Sequence, residues 1–179
     1  MDRQLFERTV NMNNETSYDE LRGLLIRTGC KIIKEERPRY ISVKQGTIRG
    51  VSPKSAEKII DYYLFAKGSE TRAVASSKIS SNWTNLTLYG NILAAAMIAI
   101  FWWIASDIET YLNTGKASVW SWLSAAYGYP DFQITLVMIN LTKLLAIILV
   151  GAIAVEILIV LYVYPRVDAF AEESLKKLP

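Results

Sequence analysis

Two apolar runs, Leu86–Ile108 and Ile134–Tyr164, limit what this chain can fold into. Each exceeds the roughly 20 residues of helix needed to cross a hydrocarbon core. Their only Asp, Glu, Lys or Arg residues are Asp107, Lys143 and Glu156. A soluble chain of 179 residues has no use for two such lengths of continuous apolar helix. The expected fold is therefore an α-helical two-span transmembrane hairpin with a small N-terminal α+β cytosolic domain. The expected divisions are a cytosolic domain over 1–68, a linker or helix extension over 69–85, and a first transmembrane helix over 86–108. An outer loop with an aromatic interfacial segment follows over 109–133, then a second transmembrane helix over 134–164 and a cytosolic tail over 165–179.

The sequence begins MDRQLFERTV, without the apolar core of a signal peptide, so the first span is expected to direct insertion. Lys67, Arg72 and Lys78 precede the first apolar run and Arg166 follows the second. Basic residues close to span ends stay on the cytoplasmic side, which predicts a multi-pass cell-membrane protein with both termini cytoplasmic. The lipid bilayer is then its first partner. The chain has no histidine and one cysteine, Cys30. That argues against imidazole-held haem, copper or zinc, against a His-based triad and against an internal disulfide. No nucleotide loop is present and the carboxylates are scattered, so neither a cofactor nor an enzymatic activity is expected.

Local signals punctuate residues 17–67. Ser17-Tyr-Asp-Glu20 reads as a capping box, and Leu21, Leu24, Leu25 and Thr28 follow at helical spacing before Gly29. Cys30–Glu36 and Arg39–Gln45, separated by Arg37-Pro38, read as a β-hairpin, with Thr47–Val51 as a third short strand. Ser52-Pro53 reads as the start of a second helix, because Ala56, Ile59, Ile60, Tyr63 and Leu64 form an apolar stripe that ends at Gly68. The order is α-β-β-(β)-α. On this reading Lys54 and Lys58 lie one turn apart on the exposed side of the last helix. Arg37 and Arg39 cluster at the hairpin tip, giving a basic cytosolic face.

That order, with Ser52–Lys58 opening the last helix, resembles double-stranded-RNA-binding domains. It is similar, more distantly, to the helix-then-wing half of membrane-tethered winged-helix regulators. Both resemblances imply nucleic acid as a partner, met by cations aimed at phosphates. A positive face beside anionic headgroups is the competing reading of the same residues.

Four polar residues lie in or at the apolar runs: Asn91, Asn140, Lys143 and Glu156. A bilayer over Leu144–Tyr164 leaves only Glu156 deep, and one over Ile134–Glu156 leaves Lys143 deep. A deep charge costs several kcal/mol and seeks a partner or water. Trp83 and Tyr89 mark an inner interface and Trp102 and Trp103 an outer one. Trp120 and Trp122 in the outer loop, within a short interfacial segment Val119–Tyr127, could meet lipid or a protein. Gly90 and Ala94–Ala96 on the first run, and Gly151, Ala152 and Ala154 on the second, are small-residue faces suited to close helix packing. Together these predict a non-catalytic membrane subunit or scaffold whose partners are other membrane proteins or itself. A tethered nucleic-acid-binding regulator and an oligomeric channel or transporter element are the alternatives.

Overall fold

A computed structural model describes residues 6–126, 129–130 and 132–179. The chain divides into two units: a sheet unit made of residues 1–86 and 158–179, and a helical unit made of residues 87–157.

The sheet unit opens with strand β1 (Phe6–Val10). Helix α1 (Asn14–Arg27) follows, capped by the Asn13 side chain, which accepts from the Thr16 amide at 2.8 Å. The cap lies one turn earlier than Ser17, whose hydroxyl is buried inside the helix. Gly29 ends the helix at φ 78, with the Cys30 amide returning to the Leu25 carbonyl. Strands β2 (Lys31–Glu36) and β3 (Tyr40–Gln45) then form the expected hairpin. A bulge between Ile32 and Lys34 turns Ile33 outward.

The next segments depart from expectation. Thr47–Val51 is no strand; Thr47 makes a single bridge to Ala56. Ser52 and Ser55 close one turn, with hydroxyls 2.7 Å apart and the Ser55 amide on the Ser52 carbonyl at 3.0 Å. No helix follows. Residues 58–67 are strand β4 (Lys58–Lys67), and residues 70–79, expected as linker, are strand β5 (Glu70–Ile79). Ile60, Tyr62 and Leu64 alternate inward as a strand requires. The helical stripe in the same residues loses to β-branched and aromatic content and to pairing with strands on both sides. Gly68, read as a helix stop, instead holds φ 64 in the two-residue turn joining β4 to β5.

The sheet is antiparallel throughout, in the order β1-β5-β4-β3-β2. One face is covered by α1 and by α4 (Ala169–Lys176), the C-terminal helix. Tyr18, Leu21 and Leu25 of α1 and Ala171 and Leu175 of α4 meet Ile41, Val43, Ile60, Tyr62, Leu64, Ala73 and Ala75 there. The small residues that make 70–79 look like a tether are what a strand needs beneath two helices: Thr71, Ala73 and Ala75 are each at most 1% exposed.

Two helices are long and apolar enough to cross a membrane: α2 (Ser81–Thr114) and α3 (Phe132–Val163). Their most apolar windows are only 11% and 6% buried. Between them lie a 3-10 turn (Ser121–Leu123) and a two-stranded ribbon of β6 (Ala125–Ala126) and β7 (Tyr129–Pro130). A further 3-10 turn, Tyr164–Arg166, leads from α3 towards α4.

Candidate functional site

Ser80 alone separates β5 from α2, and a buried polar clamp forms around it. Its amide donates to the Glu57 carbonyl at 2.9 Å, and its hydroxyl donates to the Glu57 carboxylate at 2.6 Å. The Ser80 hydroxyl also accepts from the Asn82 amide at 3.2 Å, as an N-cap does. Lys44 sits 2.9 Å from the same carboxylate, which is 5% exposed. Burial alone would raise the Glu57 carboxyl; hydrogen bonds from Ser80 and Lys44 outweigh it and hold the group below its usual range.

Trp83 is also fixed here. It is 4% exposed, its indole N–H donates to the Gly50 carbonyl at 2.8 Å, and its ring meets Tyr164 edge-on at 6.3 Å. The Gly46–Glu57 loop can wrap this tightly because a Cβ on Gly50 would lie 2.0 Å from the Ser55 carbonyl oxygen. Trp83, expected at a lipid interface, is therefore part of a small core with Ala56, Ile79, Ile159, Val160 and Val163.

The expected basic face is largely dissolved. Lys58 is inside the protein, 0% exposed, because strand parity and not a helix sets its direction. Its ammonium donates to the Pro53 carbonyl and lies 5.8 Å from the centre of the Phe170 ring. Burial lowers its pKa to about 8, the Asp168 charge acting against that shift. Lys54 reaches Glu173 of α4 at 2.6 Å, while Lys177 holds the other oxygen of that carboxylate at 2.9 Å. The hydrogen bonds from Lys54 and Lys177 push Glu173 down to about 2. Arg37 pairs with Asp19 at 2.7 Å and sits over the Tyr18 ring. Arg39 is exposed and makes no ion pair among the described residues. The resemblance to double-stranded-RNA-binding domains rested on the element order with Ser52–Lys58 opening a last helix, and residues 58–67 form a strand instead.

In the helical unit, Lys143 meets Glu109 at 3.2 Å. Glu109 falls just past the apolar run and reads as loop in the sequence, but α2 continues to Thr114. Asp107 accepts from the Ser118 hydroxyl at 2.6 Å and from the Trp120 amide at 2.9 Å, folding the connection back onto α2. Trp120 then packs edge-on against Trp103 at 5.7 Å. Trp102, Trp103 and Trp122 are each at least half exposed. The expected interfacial helix over Val119–Tyr127 is a 3-10 turn at Ser121–Leu123, and Tyr127 lies outside the described residues. Glu156 is half-buried without a hydrogen bond or ion pair among the described residues. Asn91 donates to the Thr87 carbonyl at 3.1 Å, while its own side-chain oxygen is buried and unpartnered. Asn140 is exposed. Gly90 and Gly151 face open space, with nothing within 4 Å of the point a Cβ would occupy. Glu57 and Glu109, and the partners of Asp107, escape sequence reading because the contacts join residues apart in the chain.

Among the described residues no three His, Cys, Asp or Glu side chains gather as a metal site. Fold and geometry define a five-stranded antiparallel sheet unit and, among the described residues, two helices long and apolar enough to cross a membrane. No protein-family model and no curated protein matches the chain. Among solved structures, the crystal structure of CalU16 from Micromonospora echinospora is similar over 79% of this chain and 86% of that one. The identity is 11% and the TM-score 0.34, too slight a likeness for the two folds to be equated.

Proposed function

We propose that the chain is a two-span integral membrane protein that serves as a non-catalytic subunit or scaffold, with the sheet unit on the cytoplasmic side. The observation that carries this reading is the bare flank of α2 and α3, on which Glu156 has no partner among the described residues. A carboxylate in hydrocarbon costs several kcal/mol unless another group meets it. Helix length supports the placement. At about 1.5 Å per residue, Leu144–Tyr164 spans about 30 Å, the thickness of a hydrocarbon core. Lys143 then reaches the outer surface with Glu109, and Glu156 stays about 12 Å inside. The deep glutamate calls for a donor or cation from another chain, which a subunit or scaffold supplies.

Purification of the full-length protein in a gentle detergent, followed by native mass spectrometry, tests the proposal. Co-purifying membrane proteins or a defined homo-oligomer, loosened by Glu156→Ala, is the expected outcome. A lone monomer indifferent to Glu156→Ala refutes it.

A further inference from the structure

The outer face of the sheet, opposite α1 and α4, carries an open groove of about 780 Å³ at the β2–β3 tip and the end of β4. That volume lies within the range of small-molecule sites. Its floor is aromatic. Tyr63 and Phe65 are 39% and 53% exposed, with ring centroids 6.5 Å apart and planes within 14° of each other. Tyr40 adds a third ring 5.0 Å from Tyr63, held by its hydroxyl donating to Asp61 at 2.8 Å.

One polar group on the wall is unspent. Around this tip Arg22, Lys34 and Arg37 each pair with a carboxylate, whereas the Arg39 guanidinium pairs with none among the described residues. Glu36, also on the wall, is neutralised by Lys34 at 2.7 Å.

A fitting occupant needs a flat aromatic body for the ring floor and an anionic group for Arg39. We propose that this groove binds a purine nucleotide, with its base stacked on Tyr63 and Phe65 and its phosphate held by Arg39. Base–aromatic stacking tolerates many partners and needs only an exposed π-face, while guanidinium matches phosphate through paired N–H donors. A lipid headgroup fits less well. Tyr63 pairs with Val74 of β5, and about 20 Å of strand separates Val74 from Ser80, the residue before α2. The groove lies wholly in the sheet unit, so its occupancy does not depend on what α2 and α3 contact.

Titration of the full-length protein in detergent with AMP, GMP, adenosine and inorganic phosphate, followed by calorimetry, tests this. AMP or GMP should bind more tightly than either adenosine or phosphate. Tyr63→Ala should weaken nucleotide binding about 5- to 150-fold, while Tyr63→Phe, which keeps the ring, should retain it. Arg39→Ala should abolish the preference of AMP over adenosine. A short oligoadenylate distinguishes the source: tighter binding than AMP assigns the groove to the end of a strand, equal or weaker binding to a free nucleotide. Absence of saturable binding by AMP and GMP, or binding unchanged in both Tyr63→Ala and Arg39→Ala, overturns the proposal. Tyr63 and Phe65 project from the outer face, so their truncation leaves the core between sheet and helices intact.

Discussion

Lys58 is the most exacting test of the strand assignment, because a helix would have placed it in water. Its ammonium is fully enclosed, donates to the Pro53 carbonyl and forms no ion pair among the described residues. Burial lowers its pKa from 10.5 to about 8; Asp168 and Cys30 work against the shift and Lys54 adds to it. The sign of the linkage follows. Below pH 8 both folded and unfolded chains carry the proton, and the folded state bears the full cost of an enclosed charge. Between about 8 and 10.5 the unfolded chain holds a proton that the folded one has released, so stability rises with pH. The span of about 2.5 pH units at about 1.4 kcal/mol each amounts to at most about 3.4 kcal/mol, or about 300-fold in the opening equilibrium. Lys58→Met removes the titration but leaves the Pro53 carbonyl unpaired, a cost of about 1–3 kcal/mol at every pH. The variant should therefore match or exceed the wild type in stability at pH 7 and lose about 3 kcal/mol against it by pH 11. Cys30, the one cysteine and 8% exposed, supplies the assay. Its labelling by a thiol reagent reports opening of the sheet unit, and the variant-to-wild-type rate ratio at each pH cancels most of the thiol's own titration. A ratio that stays constant from pH 7 to 11 would falsify the burial of a charged Lys58.

Two further perturbations probe the elements around this core. Gly50→Ala should destabilise the sheet unit by about 1–3 kcal/mol, since its new methyl group must displace the Ser55 backbone. Gly90→Ala, with nothing within 4 Å, should leave the thermal midpoint in detergent unchanged or raised; equal losses for both variants would refute the close approach at Gly50. Deleting residues 167–179 removes α4 and the burial of Leu175 and Leu178, each 2% exposed and each contributing about 1.5–3 kcal/mol. Cys30 labelling in the truncated chain should accelerate at least tenfold, and an unaltered rate would show that α4 is not part of the core.

The features legible in the sequence are those whose signals are local. The apolar runs of α2 and α3 and the β2–β3 hairpin around Arg37-Pro38 announce themselves through composition and punctuation. Strand β4 does not. Ala56, Ile59, Ile60, Tyr63 and Leu64 match a helical stripe, and Ile60, Tyr62 and Leu64 match a strand's alternation; only the neighbours β3 and β5, distant in sequence, decide between them. One wrong period then misplaces every side chain it carries, which is why Lys58 moves from surface to core. Strand β5 is hidden by the smallness of Ala73 and Ala75, a trait shared by tethers and by strands packed closely under helices. Glu109 shows a third cause: hydropathy marks where apolar residues stop, not where a helix stops, so the partner of Lys143 falls outside the window. At the proposed groove, Arg39 is visible in the sequence as a cation. Its freedom from carboxylates emerges only once Arg22, Lys34 and Arg37 are seen to be paired.

The chain order of the sheet unit constrains how this protein can work. Residues that complete its core come from both sides of the apolar helices: Tyr62 of β4 meets Ser174 of α4 at 2.7 Å, and the Arg8 guanidinium donates to the Leu175 carbonyl at 2.7 Å. The pair α2 and α3 is thus an insertion between β5 and α4 of one domain, not an anchor appended to a finished one. At the start of α2, Ser80 and Trp83 are tied to Glu57 and Gly50; at the end of α3, Val163 and Tyr164 pack on Trp83. A single residue joins β5 to α2, and a short 3-10 turn leads from α3 towards α4. The core cannot close until the chain beyond α3 has returned. Removing either helix end from its place strips partners from the same small set of buried residues.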